Sequence, residues 1–133
     1  MKQAVHGTTP AAPYSPGILA RGTMLWVAGQ GPLRDGAVVA GTIEAETLLT
    51  LSNVEAVLRD GGATVADVVR VGVYLADLDD FAAMNAVYSE FFRSRGGDGV
   101  PLPARTTIGA ALLGIKVEID CVAVLGGLGD GEG

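Results

Sequence analysis

The chain has 133 residues, of which 49% are apolar and 18% charged, and its formal net charge is −6. This length and hydrophobicity predict one globular domain with a substantial core and exclude a disordered chain. No apolar run reaches the roughly 18 residues of a membrane span, and the acidic charge argues against nucleic-acid and anionic-membrane partners.

Two rare residue types exclude several classes of site. Cys121 is the single cysteine and His6 the single histidine, which argues against a disulfide, a metal site and a serine–histidine–aspartate triad. We therefore predict no metal, and we expect Cys121 to face inward as a small hydrophobe. The first residues lack the apolar centre of a signal peptide, which predicts a cytoplasmic protein.

The N-terminal segment, residues 1–16, is predicted to be a loop because it carries three prolines. Tyr14 within it either pins this arm onto the body or lines a pocket with its phenol. The following stretch, from Ile18 to Ala28, predicts two short strands with a turn near Gly22.

Residues 29–32, Gly-Gln-Gly-Pro, end the second of these strands. They do not form a dinucleotide-binding loop, because Arg34 stands where the last glycine is required and Pro32 prevents the helix that must follow. Gly29 either allows a ligand to approach the backbone closely or forms a bulge. Asp35 and Gly36 predict a tight hairpin turn.

Two amphipathic helices are predicted. The first runs from Thr42, a capping residue, to Asp60, and its apolar residues at helical spacing are Leu48, Leu51, Val54 and Leu58. Residues 78–80 lead into the second, which runs through about Arg93, and its core-facing residues are Phe81, Met84, Tyr88 and Phe91. Asn85, one position away from this stripe, is interpreted as a surface or capping residue.

Residues 68–76 predict a strand with one apolar face, which is formed by Val69, Val71, Val73 and Leu75. The other face carries Gly72 and Tyr74 and is only partly polar. Because such a face is neither well solvated nor covered by its own chain, we predict cover from another subunit.

The C-terminal residues 101–124 have two alternating runs around a short apolar loop, a pattern typical of a hairpin. If the hairpin closes symmetrically, Arg105 lies opposite Asp120. Thr107 then lies opposite Glu118, and all four side chains share one face. The core-facing residues would be Thr106, Ile108, Val117, Ile119 and Cys121.

Two interpretations of Arg105 and Asp120 stay open at this point. In the first, they form a surface ion pair that stabilises the sheet by about 0.2–1 kcal/mol. In the second, the guanidinium holds a substrate carboxylate through two parallel hydrogen bonds while Asp120 handles a water. Spacing alone does not choose between them.

The predicted elements follow the order β-β-(β)-α-β-α-β-β. This order favours an α+β fold with two helices on one face of a mixed sheet of about six strands. We predict a single domain over residues 1–125, followed by a flexible glycine-rich tail over residues 126–133.

Motifs along most of the chain carry a family resemblance. The most specific are Pro103-Ala104-Arg105 and Val117-Glu118-Ile119-Asp120, and residues 12–17, 27–30 and 85–92 match as well. Together they resemble the RidA/YjgF/UK114 family of enamine/imine deaminases. The resemblance covers roughly residues 12–124 and implies a chorismate-mutase-like fold in a homotrimer, with three clefts between subunits.

The resemblance also implies roles for individual residues. Arg105 would bind the substrate carboxylate and Asp120 would position the hydrolytic water. The substrate-binding residues that it implies are Tyr14, Gly29, Asn85 and Thr107. The chain departs from the family pattern with alanine at 28, threonine at 107 and aspartate at 120, where serine, cysteine and glutamate are common.

The reaction implied by the resemblance is hydrolysis of 2-aminoacrylate-type enamines and imines to 2-keto acids and ammonia. Arg105 would orient the electrophilic carbon for a water directed by a carboxylate, without a metal or organic cofactor. Two alternatives stay open, a non-catalytic sensor of small carboxylates and an endoribonuclease. The acidic charge and the lack of a histidine pair argue against the endoribonuclease.

Overall fold

The computed structural model describes residues 2–126 and contains eight strands and two α-helices in that range. The strands are β1 (Lys2–Val5), β2 (Gly17–Ala20), β3 (Thr23–Gln30), β4 (Leu33–Arg34), β5 (Ala37–Val38), β6 (Val68–Leu75), β7 (Ala104–Gly109) and β8 (Val117–Leu125). The helices are α1 (Ile43–Asp60) and α2 (Phe81–Gly96). Apart from Gly126, the predicted glycine-rich tail lies outside the described residues.

Four strands form a central mixed sheet in the order β3-β8-β6-β7. β6 pairs antiparallel with β8 and parallel with β7. β1 pairs with β2, and β4 with β5, in two separate ribbons. The α+β class with two helices on a mixed sheet is confirmed, but the strands divide into a four-stranded sheet and two ribbons rather than one sheet of about six.

The core lies between the two helices and one face of the central sheet. Alternate residues of β6 and β8 face it, among them Val71, Val73, Val117, Ile119 and Cys121. Thr42 caps α1 as predicted, since its hydroxyl accepts the N–H of Ala45 at 3.1 Å. Leu48 is 48% exposed and is not a core residue, because the buried side of α1 is turned toward Thr47 and Thr50.

The predicted C-terminal hairpin is wrong. β7 and β8 both pair with β6, which lies between them. The reason is the connection through α2, which returns the chain in the same direction and places β7 beside β6 as a parallel strand. A pattern of alternating residues predicts strands, but it does not determine which strands pair.

This topology also changes which side chains share a face. Arg105 lies opposite Val71 and Thr107 opposite Val73, so both belong to the helix-covered face. Asp120 lies opposite Gly72 on the other, open face. The predicted common face of Arg105, Thr107, Glu118 and Asp120 is therefore wrong, as is the core position of Thr106 and Ile108, both of which are exposed.

The N-terminal segment is not entirely a loop. Residues of β1 pair with β2, from Lys2 opposite Ala20 to Val5 opposite Gly17. All three prolines of the segment fall after β1, in the connection to β2, where no ladder donor is needed. Within residues 2–126, neither helix combines the length and hydropathy required to span a bilayer.

Candidate functional site

Arg105 lies on the edge strand β7, and aromatic rings surround its guanidinium. The guanidinium carbon lies 4.8 Å from the ring centre of Tyr88, 5.8 Å from that of Phe81 and 6.0 Å from that of Tyr14. The ion pairs found within residues 2–126 do not include Arg105. The cation is therefore held by ring faces rather than by a carboxylate, and the predicted surface ion pair with Asp120 is absent from the described residues.

The guanidinium is partly removed from water. Burial lowers the pKa of Arg105, and the neighbouring Tyr88 and Tyr14 oppose this effect. An arginine remains charged at neutral pH even so. Its Nη1 is buried and has no hydrogen-bond partner in the structure. Since an unsatisfied buried donor is costly, this atom favours an anionic ligand with an oxygen to accept from it.

Three other buried polar atoms without partners belong to β7 and α2, the elements that carry Arg105 and its nearest ring. They are Thr107 Oγ1, Asn85 Oδ1 and Tyr88 Oη. Thr107 follows Arg105 by two residues on the same face of β7. Asn85 lies between Phe81 and Tyr88 on one side of α2, because residues three and four apart on a helix are neighbours. Burial raises the pKa of Tyr88, so its phenol stays neutral.

A cavity of about 250 Å³ opens beside the guanidinium. Its lining residues are Ala11, Ala12, Tyr14, Phe81, Arg105 and Thr107. Arg105 is the one charged residue of this lining. The arrangement suits a small molecule with one carboxylate and a short, uncharged remainder.

Ser15, which was not singled out in the sequence, fixes the N-terminal wall of this cavity. It is buried, and its hydroxyl donates to the carbonyl of Leu102 at 2.5 Å. Its backbone N–H donates to the carbonyl of Pro103 at 3.1 Å. These bonds join the segment that carries Tyr14 to the residues just before Arg105. The signal in the sequence was a serine between prolines in a segment interpreted as a loop.

Asp120 lies on the open face of the sheet, where its carboxylate already has donors. Tyr74 Oη donates to Oδ2 at 2.9 Å and the N–H of Gly72 donates to Oδ1 at 3.1 Å. The hydrogen bond to Asp120 raises the pKa of Tyr74. A Cβ at position 72 would collide with this carboxylate, so glycine allows the close approach.

A second acid, Glu118, lies on the same face and was missed as a candidate. β3 is irregular between Val27 and Gln30, and Gly29 in this bulge faces Glu118. A Cβ at Gly29 would collide with the Glu118 carboxylate. No hydrogen bond or ion pair to the Glu118 side chain is found within residues 2–126. Alternation places both acids on one face, so the sequence offered no physical reason to choose Asp120 over Glu118.

The predicted site residues thus form two groups within one protomer. Tyr14, Asn85, Arg105 and Thr107 lie on the helix-covered side of the sheet. Gly29 and Asp120, together with Glu118, lie on the open side. The sheet itself separates the cation from the acids.

The sequence model described as Endoribonuclease L-PSP matches residues 4–125. The chain belongs to the RidA/YjgF family. The resemblance identified in the sequence is thereby confirmed.

Individual RidA/YjgF relatives cover most of the chain. The mitochondrial protein mmf2 of Schizosaccharomyces pombe is 40% identical over 116 residues, which are 84% of this chain and 86% of mmf2. A 2-iminobutanoate/2-iminopropanoate deaminase of Dermatophagoides farinae is 35% identical and covers 87% of this chain and 88% of its own. The structure of Escherichia coli TdcF with bound serine has a TM-score of 0.70 and 31% identity, over 92% of this chain and 93% of TdcF.

Proposed function

We propose that this RidA/YjgF protein hydrolyses reactive 2-imino acids of the 2-aminoacrylate type to 2-keto acids and ammonia. The observation that carries the proposal is the partly buried guanidinium of Arg105, whose Nη1 has no partner, in a small cavity walled by aromatic rings. An oriented guanidinium binds a carboxylate through two parallel hydrogen bonds. The 35% identity to an iminobutanoate/iminopropanoate deaminase supports the reaction class.

The active unit is proposed to be a homotrimer in which the open face of one sheet is covered by a neighbouring copy. Trp26 and Ile108 on that face are 70% and 47% exposed, which supports a partner there. The cleft between protomers would bring the carboxylate held by Arg105 to the partner subunit's Glu118. This arrangement joins the two groups of site residues that the sheet separates within one chain.

The proposed reaction begins with the carboxylate of the imino acid bound to Arg105, which fixes the imine carbon at a defined distance from the acid. An enamine first takes a proton on its terminal carbon and releases one from its nitrogen to solvent, which converts it into the imine. A water directed by the acid adds its oxygen to the imine carbon and gives a proton to the nitrogen. The resulting amino alcohol then loses ammonia, and its hydroxyl becomes the keto oxygen.

We assign the water-directing role to Glu118 rather than to Asp120. The oxygens of Asp120 already accept hydrogen bonds from Tyr74 and Gly72, whereas Glu118 lies unpaired against Gly29. A general base needs a free lone pair toward the water. Asp120 would then have a structural role, because its side chain on β8 binds Gly72 and Tyr74 of β6 on the open face.

The second candidate is a binding protein for small carboxylates without catalysis. The engagement of Asp120 by Tyr74 favours it, because the acid implied by the resemblance is not free.

We also propose that the chain is a single catalytic domain over residues 1–125 and that it works in the cytoplasm. Fractionation of cells that express the native chain tests this compartment.

The test is imine hydrolysis by the purified protein, with imines generated from alanine and leucine by an amino-acid oxidase. We expect faster keto-acid release by the wild-type chain, and a loss of about 100-fold or more in kcat/KM for Arg105→Ala. Arg59→Ala, an exposed arginine of α1, is the matched control and should retain full activity.

The imine-hydrolysis test, with pyruvate binding and RNA cleavage measured beside it, distinguishes the deaminase from the sensor and the endoribonuclease. Pyruvate binding without faster imine loss supports the sensor. RNA cleavage that persists through purification and disappears in Arg105→Ala supports the endoribonuclease. Full deaminase activity in Arg105→Ala rejects the proposed role of Arg105.

A further inference from the structure

Glu46, in the first turn of α1, is a buried carboxylate with no part in the proposed reaction. Its side chain is 1% exposed. Oε1 accepts the backbone N–H of Lys116 at 2.8 Å, and Oε2 accepts that of Gly41 at 3.2 Å. The ammonium of Lys116 lies 3.5 Å from Oε2. A buried charge is tolerated only with such partners, so the position of the loop before β8 is tied to that of α1.

Asn53 makes a second anchor two turns further along the same helix. Its Nδ2 donates to the carbonyl of Gly31 at 2.9 Å and to that of Leu33 at 2.8 Å. Both of its amide protons are used on the segment just after β3. Residues seven apart lie on one side of a helix. Because β3 and β8 are antiparallel, the segment after β3 and the segment before β8 lie at the same end of the sheet, and Asn53 and Glu46 bind one each.

The two anchored segments flank the contact between Gly29 and Glu118. Gly31 follows Gly29 by two residues, and Lys116 precedes Glu118 by two. The segments also touch, since a Cβ at Gly31 would lie 3.1 Å from Cδ1 of Ile115. The bulge in β3 interrupts the regular ladder at this point, so sheet hydrogen bonds alone do not fix the backbone of Gly29.

We propose that Glu46 and Asn53 are positioning residues for the water-directing acid. They hold the Gly29–Glu118 contact in place from α1, through the segment after β3 and the segment before β8. The inference rests on the proposed function of Glu118. An acid that directs a water must be placed to within a fraction of an ångström. Neither anchor lines the cavity beside Arg105, and their hydrogen bonds go to residues 31, 33, 41 and 116, so we expect carboxylate binding to be independent of them.

The first experiment compares Glu46→Ala, Glu46→Gln and Asn53→Asp, with Glu44→Ala as the control on the same helical turn. We expect Glu46→Ala and Asn53→Asp to lower kcat by about 10-fold with KM nearly unchanged, because the acid shifts while the carboxylate anchor does not. Glu46→Gln keeps an acceptor for the Lys116 N–H and should recover most of the rate. Glu44→Ala should behave as wild type.

A double-mutant cycle with Glu118→Gln separates positioning from stability. If the anchors act through Glu118, adding Glu46→Ala to Glu118→Gln costs little further kcat. Equal losses in the two backgrounds would overturn the proposal. If Glu46→Ala does not fold, Asn53→Asp carries the same cycle, since it preserves side-chain shape and removes both donors.

The outcome stays interpretable if the deaminase proposal itself fails. In that case the wild-type chain does not accelerate imine loss, and amide hydrogen exchange at residues 29–31 and 116–118 becomes the readout. Faster exchange there in both anchor variants, with β1 and β2 unchanged, supports the anchors. Unchanged exchange at those amides rejects them.

Discussion

The two faces of the central sheet handle charge in opposite ways. On the helix-covered face, Arg105 is surrounded by rings and has a buried donor without a partner. On the open face, Asp120 has its donors in place and Glu118 lies against a glycine. Under the proposed function, one protomer would carry two separate half-sites. An arginine satisfied by its own acid would have little affinity left for a ligand.

The largest expected effect distinguishes the two acids of the open face. Glu118→Gln should lower kcat by about 100-fold, because it removes a general base. Asp120→Asn should lower it by less than about 3-fold, since the amide oxygen can still accept the N–H of Gly72 while the amide nitrogen donates to the Tyr74 hydroxyl. Steady-state imine hydrolysis measures both. The reverse ranking would return the water-directing role to Asp120 and remove the reason for the anchors at Glu46 and Asn53.

Mixing two inactive variants tests whether the half-sites meet between protomers. Arg105→Ala and Glu118→Gln chains, denatured together in equal amounts and refolded, should recover about a quarter of wild-type activity, because one interface in four carries both native residues. The separately refolded variants are the controls. No recovery in assembled mixed trimers would place the whole site within one chain.

A smaller effect is expected from the ring beneath the guanidinium. Tyr88→Leu should raise the Kd for pyruvate about 5-fold, because the cation loses its nearest ring face. Tyr88→Phe should bind as wild type, since it keeps the ring and removes a hydroxyl that has no partner. Isothermal titration calorimetry measures both. Equal weakening in the two variants would show that the hydroxyl, not the ring, is what the ligand requires.

The smallest effect tests whether the helix-covered face excludes water. Val71 of β6 is paired with Arg105 of β7 on one side and with Cys121 of β8 on the other, so all three lie on this face. Burial raises the pKa of the Cys121 thiol from 9.0 to about 12. Because the unfolded thiol loses its proton first, this group's contribution to stability is complete below about pH 9 and falls as the pH rises toward 12.

As the pH rises from 8 to 10, the free energy of unfolding of the wild-type chain should fall by about 1 kcal/mol more than that of Cys121→Ala. Urea unfolding at the two pH values, with both chains compared at each, measures the difference. The same pH dependence in both chains would mean that the thiol is accessible to water in the folded state.

The sequence predicted the elements of this fold better than their arrangement. Both helices, the cap at Thr42 and the turn at Asp35 follow from local patterns, because propensity and capping act within a few residues. The pairing of β7 depends on a crossover through α2, which no local alternation reports. That single error placed Arg105 and Asp120 on the same face.

The site was predicted by residue type rather than by geometry. Arg105, Tyr14 and Thr107 do line one cavity, because the family motifs that identified them cluster in space. Ser15 and Glu118 were missed, since a serine in a loop and one of two alternating acids carry no distinguishing pattern. The pattern on α2 indicated a surface or capping role for Asn85, yet its Oδ1 is buried and has no hydrogen-bond partner in the structure.

The anchoring of Ser15 to residues 102–103 makes the N-terminal arm a structural wall of the cavity. Proteolytic trimming or a fused tag that displaces residues 11–14 would therefore expose the guanidinium to bulk solvent. Affinity handles belong at the C-terminus of this protein, and preparations clipped in the arm should be inactive although their core is intact.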